Sequence, residues 1–331
     1  MTAINTVELL DELSERRRDR PGVSTSTLNV VAFIDDPERL ERIISRLETF
    51  TLKHPLRTIV LDACGTRERR VKTSCTQIDD TVLTQSEEIV LGIDALEPDE
   101  LRSVVHDLLI PHVGCAIFWA GKDLSDARFG MLRALAQTIV VDCSRAADSQ
   151  AAMHQLAQIA AAEDHAMSDL SYLRLLPWQD MVAQFFDDAE LAAQLPAITR
   201  LEIVSGSDPE AYYLAGWLAS RLQWKPCGDH ELCNPQGTTI NVAMTKNGEP
   251  RRVYSVVLRS KACEFRAELD PSAPDLVCLT VSGNPSRERR CAPLVDVDLV
   301  SLVEQAMLVP RRDPVFRGAL DMGCAILDSA G

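Results

Sequence analysis

Five short apolar runs alternate with helix-forming stretches through the first half of this chain, and no other feature constrains its fold as much. The runs are Leu28–Ile34 and residues 58–64, 88–93, 115–119 and 138–143. Between them lie helix starts. Asp36-Pro37 places a capping carboxylate before a proline at the first helical position, and Glu97-Pro98 repeats the device. A strand that is apolar throughout has no face to give to water, so it belongs in the middle of a sheet covered on both sides. Such strands in alternation with helices predict a mostly parallel, doubly wound sheet of Rossmann-like pattern.

The pattern changes in the second half. A strand is expected near 198–204 and a helix from Asp208-Pro209 onward. Four further strands, near 239–244, 253–258, 263–268 and 277–281, then read as an antiparallel sheet, with Lys246-Asn247-Gly248-Glu249 as a hairpin turn. Helices near 296–308 and 314–328 close the chain. The expected fold is α/β. A Rossmann-like domain spans residues 1–165, and an α+β domain with an antiparallel sheet and C-terminal helices spans 166–331.

A dinucleotide site would place G-x-G-x-x-G after the first strand. Here the sequence is Ile34-Asp35-Asp36-Pro37-Glu38-Arg39. It has no glycine to let the backbone approach a pyrophosphate, and two aspartates would repel one. No P-loop, H-E-x-x-H or G-x-S-x-G motif occurs, so no residue is assigned as catalytic, and no cofactor or metal is expected. His54 and Arg57 are a candidate anion site. The alternative is that His54 closes a loop while Arg57 starts a strand.

A formal net charge of -15 argues against nucleic acid and against an anionic membrane surface as partners. No apolar run approaches the roughly 20 residues that span a bilayer. The N-terminal residues lack the basic and apolar regions of a signal peptide, so a cytoplasmic location is expected. The ten cysteines are scattered without a C-x-x-C pair and are expected to be reduced, several of them as small core residues. Cys227 and Cys233 bracket His230 but have no second cluster with which to complete a zinc site. They read as two free thiols in a loop, with a reversible disulfide as the alternative.

Residues 169–186, DLSYLRLLPWQDMVAQFF, are dense in large side chains for a chain that is 5% aromatic. On one continuous helix, Trp178, Met181, Val182 and Phe185 share a face, and Arg174 falls inside it. Pro177 offers a place for that helix to split. Arg174 is then either a core cation on an internal acid or, with Trp178 and Phe185, an anchor for another protein. Trp217, in the helix that starts at Asp208, is the fourth candidate.

Four stretches taken in order resemble the OpcA family of glucose-6-phosphate dehydrogenase assembly proteins. They are LNVVAFIDD with HPLRTIVLDA, LLIPHVGCAIFWAG with QTIVVDCS, DLSYLRLLPWQDMVAQFFDD with YYLAGWLASRLQW, and DPVFRGAL in the last helix. Leu56 and Gln179 depart from the residues usual in the family. The resemblance implies a non-catalytic protein that binds glucose-6-phosphate dehydrogenase, promotes its active oligomer and raises its activity. On that reading Arg174, Trp178, Phe185 and Trp217 are the candidate partner-binding residues, as anchors or as the platform behind them. Cyanobacterial members are associated with thioredoxin, which makes Cys227 and Cys233 a candidate redox pair. The competing reading is a small-molecule module or enzyme that takes a sugar phosphate or nucleotide in the crevice of the N-terminal sheet.

Overall fold

The computed structural model describes residues 4–18, 26–66, 69–77, 83–162, 165–294, 297–307 and 313–329. The chain forms two compact units. One comprises Met1–Ala147, Asp164–Ser168 and Leu299–Arg312; the other comprises Asp148–Glu163, Asp169–Asp298 and Asp313–Gly331.

The first unit is built on a seven-stranded sheet. Its strands are β1 (Leu28–Ile34), β2 (Arg57–Asp62), β3 (Arg69–Gln77), β4 (Leu83–Gly92), β5 (Gly114–Trp119), β6 (Thr138–Val141) and β7 (Ala166–Asp169), in the spatial order β3-β4-β2-β1-β5-β6-β7. β1 lies in the middle and runs parallel to β2 and β5, and its residues Val30 to Ile34 are wholly buried, as the apolar run requires. The helix Pro37–Lys53 starts where the sequence signals it, with the Asp36 carboxylate accepting the Glu38 N–H. Asn29, a polar residue inside β1, is satisfied by the loop before β5: its side-chain oxygen accepts the Ile110 N–H at 2.9 Å, and its amide donates to the Ile110 carbonyl.

The polar stretch after β2 contains an edge strand. β3 pairs antiparallel with β4 over nine residues. This pairing also explains why β4 begins at Leu83 rather than near residue 88: its polar first half is held by the ladder, which hydropathy does not reveal.

The second unit carries an eight-stranded sheet. Its strands are β8 (Ile198–Ser205), β9 (Lys225–Gly228), β10 (Glu231–Cys233), β11 (Thr239–Lys246), β12 (Val253–Ser260), β13 (Cys263–Asp270), β14 (Ala273–Gly283) and β15 (Arg287–Pro293), in the order β15-β14-β13-β12-β8-β11-β10-β9. The inward residues of β8 alternate with an outward set, Arg200, Glu202 and Val204. Arg200, Glu202, Arg259, Glu264 and Arg266 form an ion-pair ladder across three strands at separations of 2.5–2.9 Å.

The helices Ser149–Ala162, Asp208–Leu222 and Pro314–Asp328 belong to this unit. The last two approach backbone to backbone at Gly216, where a β-carbon would lie 2.2 Å from the Ala319 carbonyl oxygen.

One expectation is corrected here. Lys246-Asn247-Gly248-Glu249 does not close a hairpin, because β11 and β12 are not neighbours: β8 lies between them, parallel to β11 and antiparallel to β12. Residues 169–186 divide near Pro177, the split that the proline allowed. They break into Leu170–Leu173, Leu176–Ala183 and a 3-10 turn Gln184–Phe186, with Pro177 in the first turn of the second piece.

Candidate functional site

The break in the 169–186 segment sets the position of its side chains. Asp169 caps the first helical turn by accepting the Ser171 N–H at 2.8 Å, and its other oxygen accepts the Tyr213 hydroxyl at 2.9 Å. Tyr172, Tyr213 and Phe316 gather around this buried carboxylate with ring centroids 5.1–6.0 Å apart. Burial pushes the Tyr172 hydroxyl up to about 12.

Arg174 ends the first turn. Its guanidinium donates to the Glu210 carboxylate at 2.9 Å; the glutamate is fully buried, and the arginine side chain is 17% exposed. Arg174 thus rests on an internal acid and still presents an edge to solvent. Trp178 and Phe185 are core residues, 3% and 2% exposed, and Phe185 packs edge-on to Phe265 at 5.6 Å. Trp217 is half-buried in the helix Asp208–Leu222.

Arg174 and Trp178 line a cavity of about 330 Å³ whose further wall is the 249–253 turn with Arg251, Arg252 and Val253. The position of that turn follows from the strand order. Because β8 separates β11 from β12, the connection between them must cross the end of β8, directly over Gly206. The Asn247 N–H donates to Ser205 O at 2.8 Å, the Glu249 N–H to the Tyr254 hydroxyl at 2.6 Å, and the Arg251 N–H to the Ser207 hydroxyl at 2.7 Å. The Gly206 N–H donates to Arg252 O at 2.8 Å. Arg251 is left-handed, with φ 66°, a conformation that a residue with a long side chain adopts only when its surroundings hold it there.

Sequence reasoning did not single out Arg251, Arg252 or Glu210 for this site. The available signals were the Pro250-Arg251-Arg252 run after Asn247-Gly248 and the acid two residues after Asp208, but neither implies that the two arginines share a cavity wall with Arg174 or that Glu210 pairs with Arg174.

The other candidates lie elsewhere. In the first unit Arg57 is buried, with its guanidinium on Glu87 at 2.6 Å and on the Leu108 carbonyl at 2.6 Å. Burial lowers its pKa, while Glu87 raises it. His54 Nε2 lies 3.1 Å from Glu304. Each residue of the candidate anion pair is therefore engaged by a carboxylate.

Cys227 and Cys233 are joined by a disulfide that closes the small β9–β10 hairpin, and Cys278 and Cys291 are joined across β14 and β15. For Cys278 and Cys291 this corrects the expectation of reduced thiols, and for Cys227 and Cys233 the disulfide alternative replaces the two free thiols: strand pairing brings together residues that are 13 and 6 positions apart. Asp270 lies beside the second bridge, 3.7 Å from the Cys278 sulfur.

A family model described as the glucose-6-phosphate dehydrogenase subunit N-terminal domain matches residues 48–158, and one described as the C-terminal domain of that subunit matches residues 165–320. The chain belongs to the OpcA family. The chain is 33% identical over 138 residues to a Synechocystis protein named as an OxPP cycle protein, OpcA, a match that covers 40% of this chain and 28% of that protein. A Nostoc punctiforme OpcA is 26% identical over 200 residues, covering 56% and 43% of the two chains. The matched regions span less than half the length of these curated OpcA relatives.

Among solved structures, KijD10, a 3-ketoreductase from Actinomadura kijaniata bound to NADP and TDP-benzene, aligns with a TM-score of 0.52 at 11% identity, over 92% of this chain and 96% of that one. A levoglucosan dehydrogenase in complex with NADH gives 0.51 at 10%, with the same coverage. At these identities the likeness is one of fold. No described helix is long and apolar enough to cross a membrane.

Proposed function

We propose that this OpcA-family chain is a non-catalytic assembly factor and activator of glucose-6-phosphate dehydrogenase, acting by protein contact in the cytoplasm. The observation that carries this reading is the match of two dehydrogenase-subunit models to both halves of the chain. The turn after β1 supports it. The helix N-terminus that receives a pyrophosphate in dinucleotide-binding folds is here capped by Asp36, and Asp35 accepts the Lys122 N–H at 2.9 Å.

The mechanism is a population shift: binding the dehydrogenase's active form more tightly than its inactive form moves the equilibrium by the difference in the two binding energies. Arg174 and Trp217 each have accessible surface to offer a partner, while Trp178 and Phe185 are packed in the core. The Cys227–Cys233 bridge, exposed at Cys227, is the point at which a dithiol reductant of the thioredoxin type acts.

The test is reconstitution with the dehydrogenase of the same source. Co-elution on gel filtration with a lower KM or higher kcat is expected. A dehydrogenase that neither co-elutes nor changes in KM or kcat sinks the reading.

A further inference from the structure

We propose that the cavity between Arg174, Trp178 and the Arg251-Arg252 turn is a binding site for a small phosphate ester. Three arginines line it in a chain whose formal net charge is -15. Their states differ. Arg174 is oriented by Glu210, and Arg252 donates to the Pro274 carbonyl and lies 4.0 Å from the Glu249 carboxylate. Arg251 makes no ion pair among the described residues. Guanidinium groups favour phosphate because their planar fork matches two of its oxygens at once. One oriented arginine next to an uncommitted one forms such a cradle.

The acids on the cavity wall lie at its rim. The Glu249 side chain is 79% exposed, and Asp275 is exposed as well, so water screens both. The remaining wall is apolar, from Trp178, Val253 and Leu294, and offers a dry face for the carbon skeleton of the ester.

Size narrows the ligand further. At about 330 Å³ the cavity lies at the small end of ligand pockets, which suits a sugar phosphate and not a dinucleotide. The left-handed Arg251 costs conformational energy, and four hydrogen bonds from the 247–252 turn to its surroundings hold it in place. Asparagine or glycine would occupy that φ at less cost, so the backbone by itself gives no reason for an arginine there. All the lining residues belong to this chain, so the site is complete without the dehydrogenase.

The experiment is isothermal titration of the full chain, without dehydrogenase, using glucose 6-phosphate, inorganic phosphate and glucose as separate probes. Saturable binding of glucose 6-phosphate, weaker binding of phosphate and none of glucose is expected. Arg251→Gly removes the guanidinium while suiting the backbone, so the variant should stay folded by circular dichroism and bind glucose 6-phosphate at least about tenfold more weakly. Arg251→Lys keeps the charge without the fork and should fall in between. No saturable binding of either phosphate probe up to millimolar concentration, equal binding of glucose, or wild-type affinity in folded Arg251→Gly would overturn the assignment.

Discussion

Gly206 and Glu249 lie so close that a β-carbon on the glycine would sit 1.7 Å from the Glu249 carbonyl oxygen. That oxygen belongs to backbone, which cannot swing aside as a side chain can. Gly206→Ala should therefore destabilise the fold by about 3 kcal/mol or more, since the crossing turn must be displaced. Gly130, in the helix Ala127–Arg133, has open space where a β-carbon would go. Gly130→Ala should stabilise by roughly 0.5–1 kcal/mol. Urea unfolding of the two variants side by side gives the comparison.

Removing one partner of the Arg174–Glu210 pair leaves the other charge without it. Because Glu210 is fully buried, Arg174→Ala should cost about 3 kcal/mol of stability. Glu210→Gln should cost a similar amount. The double variant should cost clearly less than the sum, because the second substitution finds the shared interaction already gone. Additive effects in a double-mutant cycle would show that the pair is not coupled.

Thiol reactivity should divide by location. Without reductant, iodoacetamide should leave Cys227, Cys233, Cys278 and Cys291 unlabelled; with dithiothreitol the two bridges release four reactive thiols. Cys115 and Cys324 should resist labelling in both states, because burial pushes each thiol up to about 12. Peptide mass spectrometry reads all six. Cys227→Ser should lower stability by about 2 kcal/mol under oxidising conditions and have no effect under reducing ones.

What the sequence revealed tracks the physics of burial. β1, with five consecutive fully buried residues, was readable because an unbroken apolar run has one stable home. β15, Arg287-Glu288-Arg289-Arg290-Cys291-Ala292-Pro293, was not, since an exposed edge strand needs no hydrophobic pattern and is held by backbone pairing and by ion pairs such as Arg287 with Asp188. The candidate site was half legible. The aromatic density around Trp178 pointed to it, but Arg251 reaches it only because β8 separates β11 from β12, and no local signal reports a strand order.

Glu88 gives a pH-dependent prediction. Burial above all, and then the neighbouring Glu48, raise its pKa in the folded state, against Arg70 and Lys72, which lower it. A carboxyl with a raised folded pKa favours the folded state fully at pH values below its unfolded pKa of about 4.3. That contribution is lost as pH rises through the folded value, because the ionised group is then poorly solvated. Glu88→Gln should accordingly raise the Tm at neutral pH, and the gain should shrink towards zero as pH falls below about 4. Thermal melts of wild type and variant across that range decide it. An equal gain at both ends would show that charge is not the cause.

The position of β8 between β11 and β12 also bears on how the protein is made. β8 leaves the ribosome well before either neighbour, and its two edges cannot be filled until residues 239–246 and 253–260 follow. The connection over Gly206 can close only after both have docked. The centre of this sheet therefore forms by long-range capture rather than by local zippering, a route that is slow and leaves an unpaired strand exposed in the meantime. During this interval, before the arginine turn has formed, the open edges of β8 can pair with another chain.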